Sequence, residues 1–288
     1  MKIARVGPPG SERPVVQDPA GMWRDLSLVT NDIDGHFLAD GGMDQARAAV
    51  DKDTLPAVTL DGVRLGAPIA RPSAVVCIGM NYAAHAAESG SPPPNVPIIF
   101  LKTPNTVVGP HDNVAIPRNS ERTDWEVELG VVIGRRTSYL DSPEQSLAHV
   151  AGFVAANDLS ERTFQLEESG GQWSKGKCAA GFSPLGPWLV TADEVDHQAL
   201  GLRSWVNGEP RQDSTTKDQI FDVASVIHHL SQYLVLEPGD IVLTGTPEGV
   251  ALSGRFPYLT AGDLVEIEID GLGRQRQRMV PHGAESRR

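Results

Sequence analysis

The chain has 288 residues, of which 40% are hydrophobic and 22% charged, and its formal net charge is −12. A chain of this length and composition can bury a core without disulfide bonds, and its acidic balance argues against nucleic acid and anionic membranes as partners. Two cysteines, no apolar leader at the N-terminus and no stretch of about 18 apolar residues predict a cytoplasmic protein without a membrane span.

Residues 1–70 are predicted to form a small N-terminal domain. MKIARV has the composition of a strand, PVVQDPAGMWRDLS that of two strands around a turn, and MDQARAAV that of a short helix. No cluster of reactive side chains occurs in this part of the sequence. We place the domain boundary near residue 70, where the chain returns to short strands punctuated by proline.

Residues 71–275 are predicted to form the main domain, of mixed α/β class and predominantly β. Its short β-branched runs, separated by Gly, Pro, Asn and Asp, are AVVCIG, PIIFLK, VELGVVIG, GFVAAND, GPWLVT, DIVLTG and DLVEIEID. Helices are expected at NYAAHAAES and FDVASVIHHLSQYL, and a tight turn at Asn207-Gly208. Residues 276–288 have little to bury and are predicted to be a disordered tail.

The strand TDWEVELGVVIG carries two glutamates in an otherwise apolar run. Alternation along a strand puts five apolar residues on one face: Trp125, Val127, Leu129, Val131 and Ile133. Glu126 and Glu128 share the other face, with Cα atoms about 6.8 Å apart. That face is either solvated or holds a cation, because two close carboxylates repel unless protons or a cation lie between them. A hard divalent cation, Mg²⁺ or Mn²⁺, matches oxygen ligands.

A third oxygen ligand is available at the end of another predicted strand. The apolar run GFVAAND ends at Asn157-Asp158, so Asp158 lies where a strand becomes a loop. An aspartate in that position commonly caps a helix or stabilises a turn. Spacing alone does not distinguish a metal ligand from such a cap.

Three further segments contain reactive side chains. His85 and Glu88 are three residues apart on one predicted helix face, where they either activate a water molecule together or belong to a solvated surface. Lys175 and Lys177 lie beside glycines and either bind an anionic substrate or are surface charges. Thr246 lies in a Gly-Thr-Pro turn after a strand, where backbone N–H groups and a hydroxyl can hold a carboxylate or simply form the turn.

In this order, six segments resemble the fumarylacetoacetate hydrolase family: CIGMNYAAHAAESG, PIIFLKTPNTVVGP, TDWEVELGVVIG, VAGFVAANDLSERTFQ, GQWSKGKCAAGFSPLGPWLV and LEPGDIVLTGTPEGV. The resemblance runs from about residue 71 to 270. It implies a mixed β-sheet roll around the active site and assembly as a homodimer or a higher oligomer. It also implies a Mg²⁺ or Mn²⁺ site formed by Glu126, Glu128 and Asp158. The N-terminal segment looks most like the bacterial group of 2-hydroxyhepta-2,4-diene-1,7-dioate isomerases and 2,4-diketo-3-deoxy sugar acid hydrolases.

The resemblance also implies roles for other residues. His85 and Glu88 would lie on a mobile lid helix and activate water, Lys177 would be the active-site lysine, and Gln165 and Thr246 would bind substrate. The implied activity is hydrolysis of a C–C bond in an acylpyruvate or 2,4-dioxo acid through a metal-bound enolate. The same site is compatible with a 2-oxo-acid decarboxylase, a dehydratase or an enol–keto isomerase, and the third alternative is a non-catalytic small-acid binding protein.

The sequence departs from the commonest family pattern in two places. Met80 stands where many members have arginine, which argues against a second carboxylate contact and so against oxaloacetate-like diacids. The lysine loop reads GKCAAGF (176–182) and lacks the polar groups common beside the lysine, which predicts a more apolar or roomier pocket there.

Overall fold

A computed structural model describes residues 1–284. The strands are β1 Lys2–Val6, β2 Arg13–Gln17, β3 Trp23–Asp25, β4 Ala57–Val58, β5 Leu65–Gly66, β6 Val75–Gly79, β7 Ile98–Lys102, β8 Val107–Val108, β9 Val114–Ala115, β10 Thr123–Asp124, β11 Val127–Ile133, β12 Val150–Asn157, β13 Ser160–Glu161, β14 Ser183–Pro184, β15 Leu189–Thr191, β16 Gly201–Val206, β17 Glu209–Thr215, β18 Ile241–Leu243, β19 Leu264–Ile269 and β20 Gly273–Val280. The α-helices are α1 Gly35–Ala39, α2 Gly42–Asp51, α3 Ala83–Glu88 and α4 Val223–Ser231. Short 3-10 turns and one π-helical segment lie in the loops between them.

The main sheet is mixed and runs in the order β4-β3-β2-β1-β15-β12-β11-β18-β6-β7, with β5 also paired to β1. Most neighbours are antiparallel, whereas β18 and β6 are parallel. A second sheet has the order β17-β16-β19-β20-β9. The predominance of strands over helices agrees with the predicted fold class.

The predicted helices are present, and the Asn207-Gly208 turn closes the β16–β17 hairpin with φ angles of 54° and 81°. The segment TDWEVELGVVIG, however, is not one continuous strand. It forms β10 and β11, and Trp125 and Glu126 lie between them. Side chains interrupt the ladder there, since the Glu126 N–H donates to Asn157 Oδ1 at 3.1 Å.

The N-terminal segment has no separate sheet. Strand β1 pairs with β15 through Lys2 and Val190, so β1 to β5 extend the main sheet. The boundary near residue 70 stays a prediction, since strands from both sides of it belong to one sheet.

The prediction of disorder from residue 276 is wrong for residues 276–280, which complete β20. This strand pairs with β19 and β9. Although its sequence is polar, one face of β20 is buried. Gln275 and Gln277 bury their side-chain amides on this face, and Met279 belongs to a hydrophobic cluster. Residues 281–284 follow outside any strand, and the rest of the predicted tail, 285–288, lies outside the described residues.

The main sheet is covered on both faces. On one face, Val127, Leu129 and Val131 of β11 pack in a core with residues of α4 and of β19. On the other face, Val132 of β11 belongs to a core that includes Phe37 of α1. Both faces of β11 are therefore buried, which explains its nearly continuous apolar sequence.

None of the helices in the described part of the chain is long and apolar enough to cross a membrane.

Candidate metal centre and active-site cavity

Glu126, Glu128 and Asp158 lie together at the ends of two neighbouring strands. Strand β11 begins just after Glu126, β12 ends just before Asp158, and Val127 pairs with Asn157. The three carboxylates each offer an oxygen within 4.8 Å of the others, and their residues are 5%, 2% and 0% exposed. The interpretation of a solvated strand face is therefore wrong.

Two buried lysines contact this group of carboxylates. The Lys177 Nζ lies 2.6 Å from Glu126 Oε2 and 2.8 Å from Asp158 Oδ2. The Lys102 Nζ donates to Asp158 Oδ1 and, at 2.7 Å, to the Phe182 carbonyl. Each carboxylate oxygen of Asp158 thus contacts a lysine ammonium group, which fixes the orientation of the carboxylate.

Arg162 forms the third basic contact. Its Nη2 lies 2.7 Å from Glu126 Oε1 and 2.8 Å from Asp124 Oδ2. Its Nη1 donates to Gln165 Oε1 at 2.9 Å, so the same guanidinium orients Gln165. Burial alone would raise the pKa of Glu126, but Lys177 and Arg162 together lower it to about 2. Glu126 is consequently ionised throughout the physiological pH range.

Glu128 differs from the other carboxylates because it makes no ion pair within residues 1–284. Its Oε2 accepts a 2.8 Å hydrogen bond from the Gly245 N–H. Burial, followed by the charges of Asp158 and Glu126, raises the pKa of Glu128 well above its usual value.

The residues present fit a divalent cation. Asp124, Glu126, Glu128 and Asp158 supply four carboxylates, whereas the basic partners of this group are Lys102, Arg162 and Lys177. A cation held by Glu126, Glu128 and Asp158 would offset the electrostatic repulsion between the Glu128 carboxylate and the other two. An all-oxygen donor set suits Mg²⁺ or Mn²⁺.

Lys177 acts as a fixed positive charge. Burial by itself would lower its pKa, but Asp158 and Glu126 raise it above the usual lysine value. Lys177 therefore keeps its proton at neutral pH and cannot serve as a general base there. Its ammonium also lies 5.0 Å from the centroid of the Phe100 ring.

Thr246 lies in the turn that follows β18, but its hydroxyl is already engaged. The Thr246 Oγ1 donates to the Val127 carbonyl at 2.9 Å and accepts from Gln212 Nε2 at 2.8 Å. Gln212 in turn accepts from the Val127 N–H at 3.1 Å. In this arrangement the hydroxyl holds the turn against the start of β11 and does not donate a proton into the cavity.

His85 and Glu88 lie on α3 and line the same cavity. The His85 Nδ1 is 3.7 Å from Glu88 Oε2, too long for a hydrogen bond, and this buried nitrogen has no hydrogen-bond partner within residues 1–284. Glu88 accepts from the Gly249 N–H at 3.1 Å and pairs with Arg255 at 3.2 Å. Burial alone would raise the pKa of Glu88, but His85, Gly249 and Arg255 lower it, so Glu88 is ionised at neutral pH.

A cavity of about 650 Å³ joins these groups. Seven of the eight predicted site residues line it: His85, Glu88, Glu126, Glu128, Gln165, Lys177 and Thr246. The eighth, Asp158, contacts Lys177 and forms, together with Glu126 and Glu128, what we call the carboxylate cluster. Lys175, by contrast, is exposed and donates to the Glu168 carbonyl. Residues 178–181 of the lysine loop do not line the cavity. The apolar part of the lining therefore comes from other segments of the chain.

Four buried polar residues of the site were not predicted: Lys102, Asp124, Arg162 and Gln212. Asp124 precedes Glu126 by two residues, and Arg162 follows Asp158 by four, so both lie inside the segments that carry the predicted ligands. Lys102 ends an apolar strand, and Gln212 lies in a polar hairpin. Sequence offers no pattern that distinguishes a buried lysine at a strand end from an exposed one.

Comparison with known proteins identifies the family. The family model described as fumarylacetoacetate (FAA) hydrolase C-terminal matches residues 74–280. A Burkholderia cenocepacia protein, named provisionally as a hydrolase, is 46% identical over 281 residues, which cover 96% of this chain and 98% of that protein.

Two solved structures illustrate the range of activities among similar proteins. A 2-hydroxyhepta-2,4-diene-1,7-dioate isomerase from Mycobacterium marinum is 31% identical with a TM-score of 0.73, covering 98% of this chain and 99% of that one. A maleylpyruvate hydrolase from Sphingobium sp. SYK-6, in complex with manganese(II) ion and pyruvate, is 28% identical with a TM-score of 0.80 and the same coverage of both chains. The predicted fold class is thereby confirmed.

Proposed function

Because the chain belongs to the fumarylacetoacetate hydrolase family, we propose that it is a divalent-metal-dependent hydrolase that cleaves a C–C bond in an acylpyruvate or another 2,4-dioxo acid. The observation that carries the proposal is the joint lining of one cavity by the carboxylate cluster and by the His85–Glu88 pair. The first group can hold a cation, and the second can accept a proton from water.

Glu126, Glu128 and Asp158 would hold Mg²⁺ or Mn²⁺. When bound, the cation supplies Lewis-acid polarisation of the 2-oxo group and offsets negative charge that develops there. Burial of the site would strengthen this polarisation, because electrostatic interactions are stronger where water is excluded.

Lys177 and Gln165 would orient the substrate. Lys177 remains protonated and is held by two carboxylates, so it presents a fixed positive charge to the carboxylate or enolate oxygens. Gln165 Oε1 accepts from Arg162, which leaves the Gln165 NH₂ group to donate to the substrate. Substrate contacts at Thr246 would come from the turn backbone, since its hydroxyl proton is donated to Val127.

His85 and Glu88 would activate the water. The ionised Glu88 and the partner-free Nδ1 of His85 supply acceptors for its proton. The water oxygen bonds to the 4-carbonyl carbon, and the C3–C4 bond then breaks. Its electron pair goes to C3 as the enolate of pyruvate, which takes up a proton, while the acyl half leaves as a carboxylic acid.

A lyase or isomerase acting at the same site is the second candidate, because the similar proteins include an isomerase. Its chemistry would share enolate formation and omit attack by water. Family membership makes the third interpretation, a non-catalytic small-acid binding protein, the weakest.

Mass spectrometry in ¹⁸O-water separates these candidates. With Mg²⁺ or Mn²⁺ present, acylpyruvates should yield pyruvate and a carboxylic acid carrying one ¹⁸O from the solvent. Turnover without a labelled acid would move the assignment to a lyase or isomerase. No turnover of any 2-oxo or 2,4-dioxo acid would contradict both.

We also propose that the protein works as a cytoplasmic homodimer. Cys77 and Cys178 are both free thiols, which suits a reducing compartment. Light scattering coupled to gel filtration would test the assembly, and a monomer at micromolar concentration would contradict it.

A further inference from the structure

The cavity has a charged end and an apolar end, and strand β7 connects them. Side chains two residues apart on a strand share a face, so Lys102, Phe100 and Ile98 point the same way at intervals of about 6.8 Å. Lys102 contacts Asp158, Phe100 lies beneath the Lys177 ammonium, and Ile98 is half-buried. The strand therefore runs from the carboxylate cluster to the half-buried Ile98.

Three apolar residues, Gly79, Phe100 and Trp173, line the cavity together with Ile98. Gly79 pairs with Ile98 across the β6–β7 ladder, and the Trp173 ring lies where a Gly79 side chain would project, 2.4 Å from the Cβ position. The Trp173 and Phe100 rings are 5.8 Å apart between centroids. We call this set, Gly79, Ile98, Phe100 and Trp173, the apolar wall. Met80 and Pro94 continue the lining beside it.

The basic side chains that line the cavity, within residues 1–284, are His85, Arg162 and Lys177. Arg162 already contacts Asp124 and Glu126, and Lys177 contacts Glu126 and Asp158. All three lie with the carboxylate cluster or on α3, and none belongs to the apolar wall. Arg255 is outside the lining and is paired with Glu88.

We infer that the substrate is a monocarboxylic 2,4-dioxo acid whose acyl group is apolar, and that the apolar wall selects it against dicarboxylic analogues. This inference rests on the proposed function for the position of the 2-oxo acid end. An acyl chain extending along β7 buries its methylene groups against Ile98, Phe100 and Trp173. A second carboxylate in the same place loses its hydration and finds no cation.

The test uses two substrates that differ only at the distal end. Butanoylpyruvate ends in a methyl group and succinylpyruvate, of equal chain length, ends in a carboxylate. With Mg²⁺ present, kcat/KM is expected to be more than about tenfold higher for butanoylpyruvate, since burying an unpaired charge costs well over the 1.4 kcal/mol that a factor of ten represents. Equal values, or preference for succinylpyruvate, would overturn the inference and leave the proposed hydrolase intact.

Charge introduced at the wall supplies a second measurement. Ile98→Arg is expected to lower the ratio of the two kcat/KM values by about tenfold or more. The matched control is Leu101→Arg on the same strand, because Leu101 is 48% exposed and outside the cavity lining. The control is expected to keep the wild-type ratio, and an equal shift in both variants would overturn the role of the wall.

Binding of uncleavable acids separates failure of the inference from failure of the hydrolase proposal. Titration calorimetry of the Mg²⁺-loaded protein would compare 2-oxohexanoate with 2-oxoadipate, which have equal chain length. Tighter binding of 2-oxohexanoate supports the inference even if neither dioxo acid is hydrolysed, in which case only the hydrolase proposal fails. Tighter binding of 2-oxoadipate, or binding of neither acid, would overturn the inference.

Discussion

The carboxylate cluster and helix α3 contribute to one cavity but are built in opposite ways. The cluster lies between interior strands of the main sheet, and its members are at most 5% exposed. Helix α3 has six residues, about 9 Å of helix, and is followed by the mostly exposed segment 89–96. The first region is held by many buried ion pairs and the second by a few contacts at its ends.

The contacts of α3 are unequally distributed. At its start, Asn81 bonds Phe221 and Thr244, and the Ala84 N–H donates to Asp218 at 2.9 Å. At its end, Glu88 contacts Gly249 and Arg255. Helix α3 is thus held by hydrogen bonds near its start and by Glu88 at its end, whereas the cluster is held by ion pairs among buried side chains. Under the proposed function, the buried cluster would hold the cation, and α3 would cover the cavity and exclude water.

The largest expected effect distinguishes two glutamates within the carboxylate cluster. In metal-free protein, Glu126→Gln leaves the buried Arg162 and Lys177 with less compensation and is expected to lose about 3–5 kcal/mol of unfolding free energy. Glu128→Gln removes a carboxyl that makes no ion pair with the residues the structure describes, and it is expected to change the unfolding free energy by less than about 1 kcal/mol. Urea unfolding measures both.

Both glutamine variants are expected to bind Mg²⁺ more than about 100-fold more weakly, since outer partners alone typically contribute 10–100-fold. Titration calorimetry checks this. Wild-type Mg²⁺ affinity in either variant would show that the carboxylate is not a ligand. Equal losses of stability in the two variants would contradict the division between paired and unpaired carboxylates.

The next effect concerns Lys102. Lys102→Met leaves Asp158 with Lys177 as its one cationic partner within residues 1–284 and is expected to destabilise the protein by about 3–5 kcal/mol. It should also weaken Mg²⁺ binding by about 10–100-fold, because Lys102 orients Asp158. Lys175→Met is the control, since the exposed Lys175 should contribute less than about 0.5 kcal/mol. Similar unfolding curves for the two variants would refute the structural role of Lys102.

A smaller free-energy effect, confined to activity, is expected for a residue of helix α3. His85→Ala should slow hydrolysis by about 100-fold or more, as expected for loss of a general base, and leave Mg²⁺ affinity unchanged. The exposed His282 provides the matched control, His282→Ala, with unchanged rates. Steady-state kinetics and calorimetry on the same preparations check both. An unaltered rate in His85→Ala would remove His85 from the mechanism.

The smallest effect tests the anchor of α3. Asp218→Ala removes the acceptor for the Ala84 N–H and is expected to destabilise the helix by about 1 kcal/mol. Hydrogen exchange in α3 should quicken about fivefold, with cation affinity unchanged. Asp213→Ala, at an exposed ion pair with Arg203, is the control and should leave exchange in α3 unaltered. Unchanged hydrogen exchange in α3 of Asp218→Ala would contradict the anchoring role of Asp218.

Local patterns were sufficient to predict α2, α3, α4 and most strands, whereas the eight candidate site residues were assigned through the family resemblance. The Asn207-Gly208 turn was predictable because both of its residues have positive φ, a conformation that few residue types other than Asn and Gly adopt in tight hairpin turns. The end of β20 was not, because Gln275 and Gln277 read as solvent-facing residues. Their amides are buried through bonds to the carbonyls of Ala155 and Pro110, which are over 100 residues away in sequence.

The sequence by itself determined the chemical character of this protein: an acidic chain with a Glu-x-Glu strand, a later Asp and a His-x-x-Glu helix. These features are local, so residue type and spacing carry them. Only the tertiary structure decided which charges compensate one another, that Lys102 and Arg162 belong to the site, and that Lys175 does not. Such pairings depend on strands far apart in the chain meeting in one sheet, and no local pattern encodes them. The apolar wall along β7 arises in the same way, because it requires Trp173 to pack over Gly79.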